Sequence, residues 1–267
     1  MHLSIIISYY KNLDNLKLIL AALDAQSCKC FEVIVSEDDN NQETIDFFAE
    51  HKSNYSYPII HLNQHADIGF RKNMMLNKSI QSASHDMMFF LDGDCVPHKH
   101  FAKEYSKNAK VGYMFSGRRV MLNKKFSKKL LEREIRKIKL FALLFSNAKR
   151  IKDAVYFPLF PLVSKGISIM GCNWGVLKSH LIEVNGFDED YTTASVGEDT
   201  DIEWRLMQIG LRIKTVRNKA IVYHLHHPVW YSEDTVMDNF KKLNAKKDKN
   251  QVVCLNGLTK SNVTKAT

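Results

Sequence analysis

The 267-residue chain contains no apolar run of the roughly 18–20 residues that a membrane-spanning helix needs. Its opening, Met1-His2-Leu3-Ser4-Ile5-Ile6-Ile7, lacks the basic n-region and small-residue cleavage site of a secretory signal, so none is expected there. Cysteine is scarce and odd in number, five in all. Cys28-Lys29-Cys30 is too close for a usual zinc pair, and Cys95, Cys172 and Cys254 stand alone. Reduced thiols in a cytoplasmic protein are the simplest reading. Asn262-Val263-Thr264 has the form of a glycosylation sequon, but it carries no weight without a secretory signal. There is no internal repeat, low-complexity tract or Pro/Gly linker. With 45% hydrophobic and 25% charged residues, the composition excludes disordered, collagen-like and disulfide-dense classes.

What the sequence does have is patterned charge. The formal net charge is +9. Residues 1–100 carry eight Lys/Arg against thirteen Asp/Glu, and residues 153–240 carry seven against twelve, so each block is net −5. Residues 101–152 carry sixteen against three, and residues 241–267 seven against one, giving +13 and +6. Basic charge confined to discrete segments differs from that of a uniformly basic nucleic-acid-binding domain. The +13 segment also has few interleaved aromatics and no recognised motif, so no nucleic-acid partner is expected.

Strand and helix signals alternate through the first hundred residues. Leu3–Ser8, Phe31–Val35, Ile59–Leu62 and Met87–Leu91 read as strands; Asp14–Ala25, Gln42–His51 and Asn73–Ser82 read as helices. That alternation predicts an α/β fold with a mostly parallel central sheet, whose ligands bind beyond the carboxyl ends of the strands. Polar clusters sit at three such ends: Ser8-Tyr9-Tyr10, Glu37-Asp38-Asp39 and Asp92-Gly93-Asp94. Residues 118–152 break the pattern. Ser127 is a candidate cap for one helix with Leu131, Ile135, Ile138, Ala142 and Phe145 along its apolar stripe. Farther on, Leu177–Val184 and Thr200–Ile209 read as helices, and Leu211–Thr215 and Ala220–Tyr223 as strands.

Three motifs carry chemistry. Asp92-Gly93-Asp94 sets two carboxylates on a tight turn after a buried strand, hard oxygen ligands suited to Mg²⁺ or Mn²⁺; a solvated turn is the plainer alternative. Glu198, Asp199 and Asp201 open a helix, where acids also serve simply to offset the helix dipole. His224, His226 and His227 follow a strand and are candidate ligands or a surface cluster.

In order and spacing these motifs resemble those of family-2-type glycosyltransferases with the GT-A nucleotide-diphospho-sugar transferase fold. Ile5–Asn12 is similar to that family's first strand and nucleotide loop, Phe31–Asp38 to its second strand and acidic end, Gly69-Phe70-Arg71-Lys72-Asn73 to its glycine-x-arginine-x-asparagine segment, and Asp92-Gly93-Asp94 to its metal motif. Residues 171–206 resemble the galactosyltransferase-type module of β-1,4-galactosyltransferases and chondroitin-polymerase-like bacterial enzymes, through Gly171-Cys172-Asn173-Trp174, Asn185-Gly186-Phe187-Asp188-Glu189 and Gly197-Glu198-Asp199. Where that module has a Trp-Gly pair, this chain reads Ala194-Ser195-Val196.

The resemblance implies a division of roles. Ser8, Tyr10 and Asp38 would hold the uridine, with Arg71 approaching the nucleotide. Asp92 would lie near ribose and metal, Asp94 would bind the metal, and His224 would complete its shell, although His226 and His227 compete for that place. Asp199 would be the catalytic base and Glu198 its partner on the sugar hydroxyls. The implied activity is metal-dependent, inverting transfer from a UDP-sugar to a glycan or lipid-linked glycan hydroxyl, with Mn²⁺ or Mg²⁺ as cofactor. Galactose or N-acetylhexosamine is the favoured sugar, and bacterial surface polysaccharide or lipopolysaccharide synthesis the expected setting. A catalytically inactive nucleotide-sugar- or carbohydrate-binding module is the alternative. The expected organisation is one catalytic domain over 1–240: a nucleotide half at 1–115, a basic helical insertion at 116–160 and an acceptor half at 161–240. A basic tail occupies 241–267. The insertion reads either as a solvated helix packed on the core or as a peripheral contact with anionic membrane at its cytoplasmic face or with a lipid-linked, phosphate-bearing acceptor.

Overall fold

The computed structural model describes residues 2–133, 138–159, 167–194, 197–228 and 232–260. The first half alternates as the sequence predicts: β1 (Leu3–Tyr9), α1 (Leu13–Asp24), β2 (Phe31–Glu37), α2 (Gln42–His51), β3 (Ile59–Leu62), α3 (Lys72–Ser82) and β4 (Met87–Asp92). Then come β5 (Cys95–Pro97), α4 (Phe101–Asn108), β6 (Tyr113–Ser116), β7 (Arg118–Met121), α5 (Lys124–Glu132) and α6 (Leu140–Leu144). The chain continues with β8 (Asn173–Leu177), α7 (Lys178–Glu183), α8 (Glu198–Gln208), β9 (Arg212–Thr215), β10 (Ile221–His224) and α9 (Glu233–Asp248).

Seven strands form the main sheet in the order β3-β2-β1-β4-β8-β6-β9. The pairs of β1 with β2 and β4, of β2 with β3 and of β6 with β9 are parallel; β8 runs antiparallel to both β4 and β6. The β1 run Ile5-Ile6-Ile7 is buried on both faces, as parallel strands between helical layers must be. Ile5 and Ile7 pack with Leu16, Leu20, Phe89 and Leu91 on one side, while Ile6 packs with Leu76, Ile80, Phe90 and Trp174 on the other. Register places Ser8 opposite both Ser36 and Asp92, so the polar ends of β1, β2 and β4 lie level at one rim.

A three-stranded sheet, β5-β10-β7, stands beside this rim. Buried Asn173 ties the two sheets together. Its amide donates to the carbonyls of Arg118 at 3.0 Å and Ala220 at 2.9 Å, and its oxygen accepts from the Tyr105 hydroxyl at 2.5 Å. The antiparallel β8 is not legible as a strand in the sequence, because Gly175 and Asn173 are poor strand formers. Gly175 is required by packing: a Cβ there would overlap the Phe89 ring.

Two segments depart from expectation. The single apolar stripe from Leu131 to Phe145 does not form. Asn123, rather than Ser127, caps α5 by accepting from the Phe126 N–H at 2.8 Å, and Ser127 is instead buried. In α6 it is Leu143 that is buried, while Ala142 and Phe145 are exposed; Ile135 lies outside the described residues. The stretch beyond residue 240 continues α9 and then packs back on the body. Leu243 and Cys254 are buried, the Leu258 N–H donates to the Asn185 carbonyl at 2.9 Å, and Lys260 pairs with Glu189 at 2.6 Å. Among the described residues no helix is long and apolar enough to cross a membrane.

Candidate active site

The turn after β4 delivers the first cluster. Gly93 packs so closely on β1 that its N–H donates to the Ser8 carbonyl at 2.7 Å, and a Cβ would sit 2.9 Å from that oxygen. The turn carries Asp94 to the end of β10. There the Asp94 carboxylate lies 2.9 Å from His227 Nε2 and 3.4 Å from His224 Nε2, and the two imidazole nitrogens are 3.3 Å apart. Octahedral ligands at about 2.1 Å from a small divalent cation are themselves separated by roughly 3 Å along each edge. The three donor atoms therefore have the mutual spacing of one face of a cation's shell, and a carboxylate with two imidazoles suits Mn²⁺. Burial alone would raise the Asp94 carboxyl, but the hydrogen bond from His227 and the charge of both imidazoles hold it below its ordinary value. Asp94 raises His227 in return, whereas burial lowers His224. The buried His224 Nδ1 has no partner.

The second cluster surrounds a crevice of about 10 Å³ lined by Ser8, Lys72, Gly171, Trp174, Glu198 and Asp199. Gly197, at φ +149°, starts α8 so that Glu198 and Asp199 open its first turn. Asp199 Oδ2 accepts the Gly171 N–H at 3.1 Å, which aims the carboxylate at the β8 end of the sheet. Lys72, the first residue of α3, reaches Asp92 at 3.0 Å and makes a close ion pair with Glu198. Burial would depress the lysine, but the charges of Asp92 and Glu198 hold it well above its ordinary value. Glu198 is pushed up to about 7, by burial first and then by Asp92 and Asp199, against the opposing pull of Lys72.

At the end of β2, Asp38 accepts the Arg71 backbone N–H at both oxygens, 3.0 and 2.9 Å, and the Gln64 amide at 2.6 Å. Burial pushes it up to about 6. Tyr10 is half exposed at the end of β1, its hydroxyl donating to Asp67 at 3.3 Å and Lys11 lying over its ring at 4.7 Å.

With this geometry in hand, comparison with known proteins is decisive. The family profile described as "Glycosyltransferase like family 2" matches residues 2–252. The chain belongs to glycosyltransferase-like family 2. A search of curated proteins found no match to it. Among solved structures, a mannosyltransferase from Pyrobaculum calidifontis in complex with GDP-Man and Mn²⁺ is similar at TM-score 0.60 and 14% identity, covering 93% of this chain and 64% of that one. The S. aureus TarS 1-349 fragment in complex with UDP-GlcNAc gives TM-score 0.61 at 14% identity, covering 98% and 68%. GalNAc-T7 with UDP, GalNAc and Mn²⁺ gives 0.62 at 12%, covering 92% and 48%. The chain thus spans about half to two thirds of these proteins' lengths, and what it shares with them is the GT-A fold.

Within this family 2 chain, the residues singled out in the sequence gather at one rim, in a different grouping from that expected. Asp94 and His224 come together, with His227 as the third member. His226 is exposed, its backbone N–H donating to Ser127 Oγ at 2.9 Å. Asp92 faces Lys72 instead of the histidines. The two acids that dipole compensation explained equally well part company: Asp199 faces the crevice, whereas Asp201 is buried in an ion pair with Arg205 at 2.7 Å. Arg71 meets Asp38 through its backbone, while its side chain lines a separate groove of about 640 Å³ with Glu189, Asp190, Lys242 and Lys249. That groove includes neither Asp94 nor Asp199. Residues 195 and 196, in the stretch that departs from the module, lie outside the described residues. The sequence reading missed Lys72, although it stood within a quoted motif, because its partners are 20 and 126 residues away. It also missed Arg119, whose Nη1 lies 3.7 Å from Cys172 Sγ and whose buried Nε has no partner.

Proposed function

We propose that this family 2 chain transfers a sugar, with inversion, from a UDP-sugar to a hydroxyl of a glycan or lipid-linked glycan. The nucleotide half, 1–115, and the acceptor half, 161–240, act as one catalytic unit. The observation that carries this reading is the Asp92–Lys72–Glu198 bridge, which joins the turn bearing Asp94 to the helix start bearing Asp199. It ties the element that carries the proposed metal ligand to the element that carries the proposed base.

In that arrangement Ser8, Tyr10 and Asp38 receive the uridine, Asp38 accepting the imide N–H and Tyr10 lying against the base. Asp94, His224 and His227 would hold Mn²⁺ or Mg²⁺, and Asp92 would lie near the ribose. A cation held there would offset the charge gathering on the departing diphosphate. Asp199 takes the acceptor hydroxyl's proton while its oxygen bonds to the sugar's C1 and the C1–O bond to the diphosphate breaks, releasing UDP. Glu198, paired with Lys72, accepts a hydrogen bond from a sugar hydroxyl. Galactose and N-acetylhexosamines are the first donors to try, and a bacterial surface polysaccharide or lipopolysaccharide the first acceptor class.

The test is a screen of UDP-sugars for hydrolysis or transfer with and without Mn²⁺, using the intact chain and Asp94→Ala. The reading expects turnover of at least one donor that needs the cation and is lost in the variant. Metal-independent turnover, or turnover unchanged by Asp94→Ala, would remove the proposed cation site.

A further inference from the structure

Helix α6 turns its largest side chains outward. Phe141 is 71% exposed, Leu144 57% and Phe145 76%. The two rings pack edge to face at 4.9 Å, and Ser146 Oγ bonds back to the Leu143 carbonyl at 2.8 Å, so the outward set is held in place. The same surface is strongly basic. Asn123, which caps α5, also donates to the Ser146 carbonyl and brings exposed Lys124 and Lys125 to the end of α6. Lys149, bridged to Met121 at 2.9 Å, and Arg150 are exposed just beyond. Across 124–152 the sequence holds eleven Lys/Arg against two Glu.

A water-facing helix normally shows its lysines and hides its phenylalanines. Here both face out together, which decides among occupants. A second copy of this chain would set cation against cation, and a neutral apolar partner would leave the lysines without counter-charge. An anionic bilayer satisfies both halves of the surface, with cations at the headgroups and aromatic rings at the acyl boundary. We propose that α6 and the first turn of α5 form a docking face for an anionic lipid bilayer, with Phe141, Leu144 and Phe145 entering the acyl boundary. The face adjoins the candidate cation site, since β7 pairs with β10 and Ser127 on α5 accepts the His226 N–H. Docking itself does not depend on the transferase reading.

Flotation of the full chain with phosphatidylcholine vesicles, with or without phosphatidylglycerol, tests this at low and high salt. The expected result is binding only with the anionic lipid, weakened by salt. Phe141→Ser/Phe145→Ser and Lys124→Glu/Lys125→Glu should each reduce it by about ten-fold or more. Lys17→Glu/Lys52→Glu, an equal charge change on α1 and in the turn after α2, should not. All these sites are exposed, and thermal unfolding checks that each variant folds. Equal binding to neutral vesicles, no binding to either, or undiminished binding by the aromatic variant would overturn the proposal. So would sedimentation showing a dimer that the aromatic variant dissolves.

Discussion

Lys72→Met puts the bridge across the crevice to the test. In the intact chain the ammonium serves two carboxylates at once, Asp92 at 3.0 Å and Glu198 more closely. Removing one member of a fully buried ion pair costs roughly 3–5 kcal/mol. These side chains retain 17%, 27% and 17% exposure for Lys72, Asp92 and Glu198, so solvent takes up part of that, leaving about 2 kcal/mol. The loss depends on pH. Glu198 titrates at about 7 in the folded chain against an ordinary 4.5, so its ionisation works against folding. That penalty is absent below about 4.5, grows as pH rises through the interval and is complete above about 7. Without the lysine the folded carboxyl moves higher still, and the difference between the two proteins widens with pH. Urea unfolding followed by tryptophan fluorescence should show a deficit of about 2 kcal/mol near pH 8, shrinking below about 1 kcal/mol near pH 5. Lys72→Arg, which keeps the charge, should recover most of it. An equal deficit at both pH values, or none at pH 8, would refute the assignment of Lys72 as the charge that keeps Asp92 and Glu198 together.

Asp199→Asn should retain donor binding and lose at least about 10²-fold in turnover, the contribution of a positioned base; near-normal single-turnover rates would exclude Asp199 from that role. Calorimetry with Mn²⁺ should show at least about a ten-fold weaker affinity for His227→Ala and an unchanged one for His226→Ala. UDP affinity should fall as pH drops through about 6, where Asp38 takes up a proton and stops accepting the imide N–H, and Asp38→Asn should flatten that profile. Gly197→Ala places a Cβ 2.5 Å from the Tyr191 ring at a φ of +149°, and should cost about 1–3 kcal/mol in unfolding measurements while impairing turnover through α8.

The parallel half of the fold was legible because its signals are local. Ile5-Ile6-Ile7 and Met87–Leu91 announce buried strands within a few residues, and the acids after them mark the rim. Strand β8 was not, since its place depends on the Phe89 ring that Gly175 accommodates and on carbonyls that Asn173 meets far along the chain. The candidate site divides in the same way. Asp94 and Asp199 stand in recognisable motifs, whereas choosing His227 over His226 requires knowing which way the chain turns after β10. Lys72 has no local signal. The expected long amphipathic helix failed for a related reason: periodicity locates a stripe but not the cap, and Asn123 rather than Ser127 starts α5.

Asn173 bears on how such a molecule can move. Its amide holds β8 of the large sheet to Arg118 and Ala220 of the small one, with the Tyr105 hydroxyl closing the set. Separating the sheets would strand several buried polar groups at once, each costing about 1–3 kcal/mol. The two sheets are therefore braced against hinge-like separation. On the proposed transferase reading, substitutions that speed or slow turnover from a distance should be sought in the loops around the site and not in the strands beneath them.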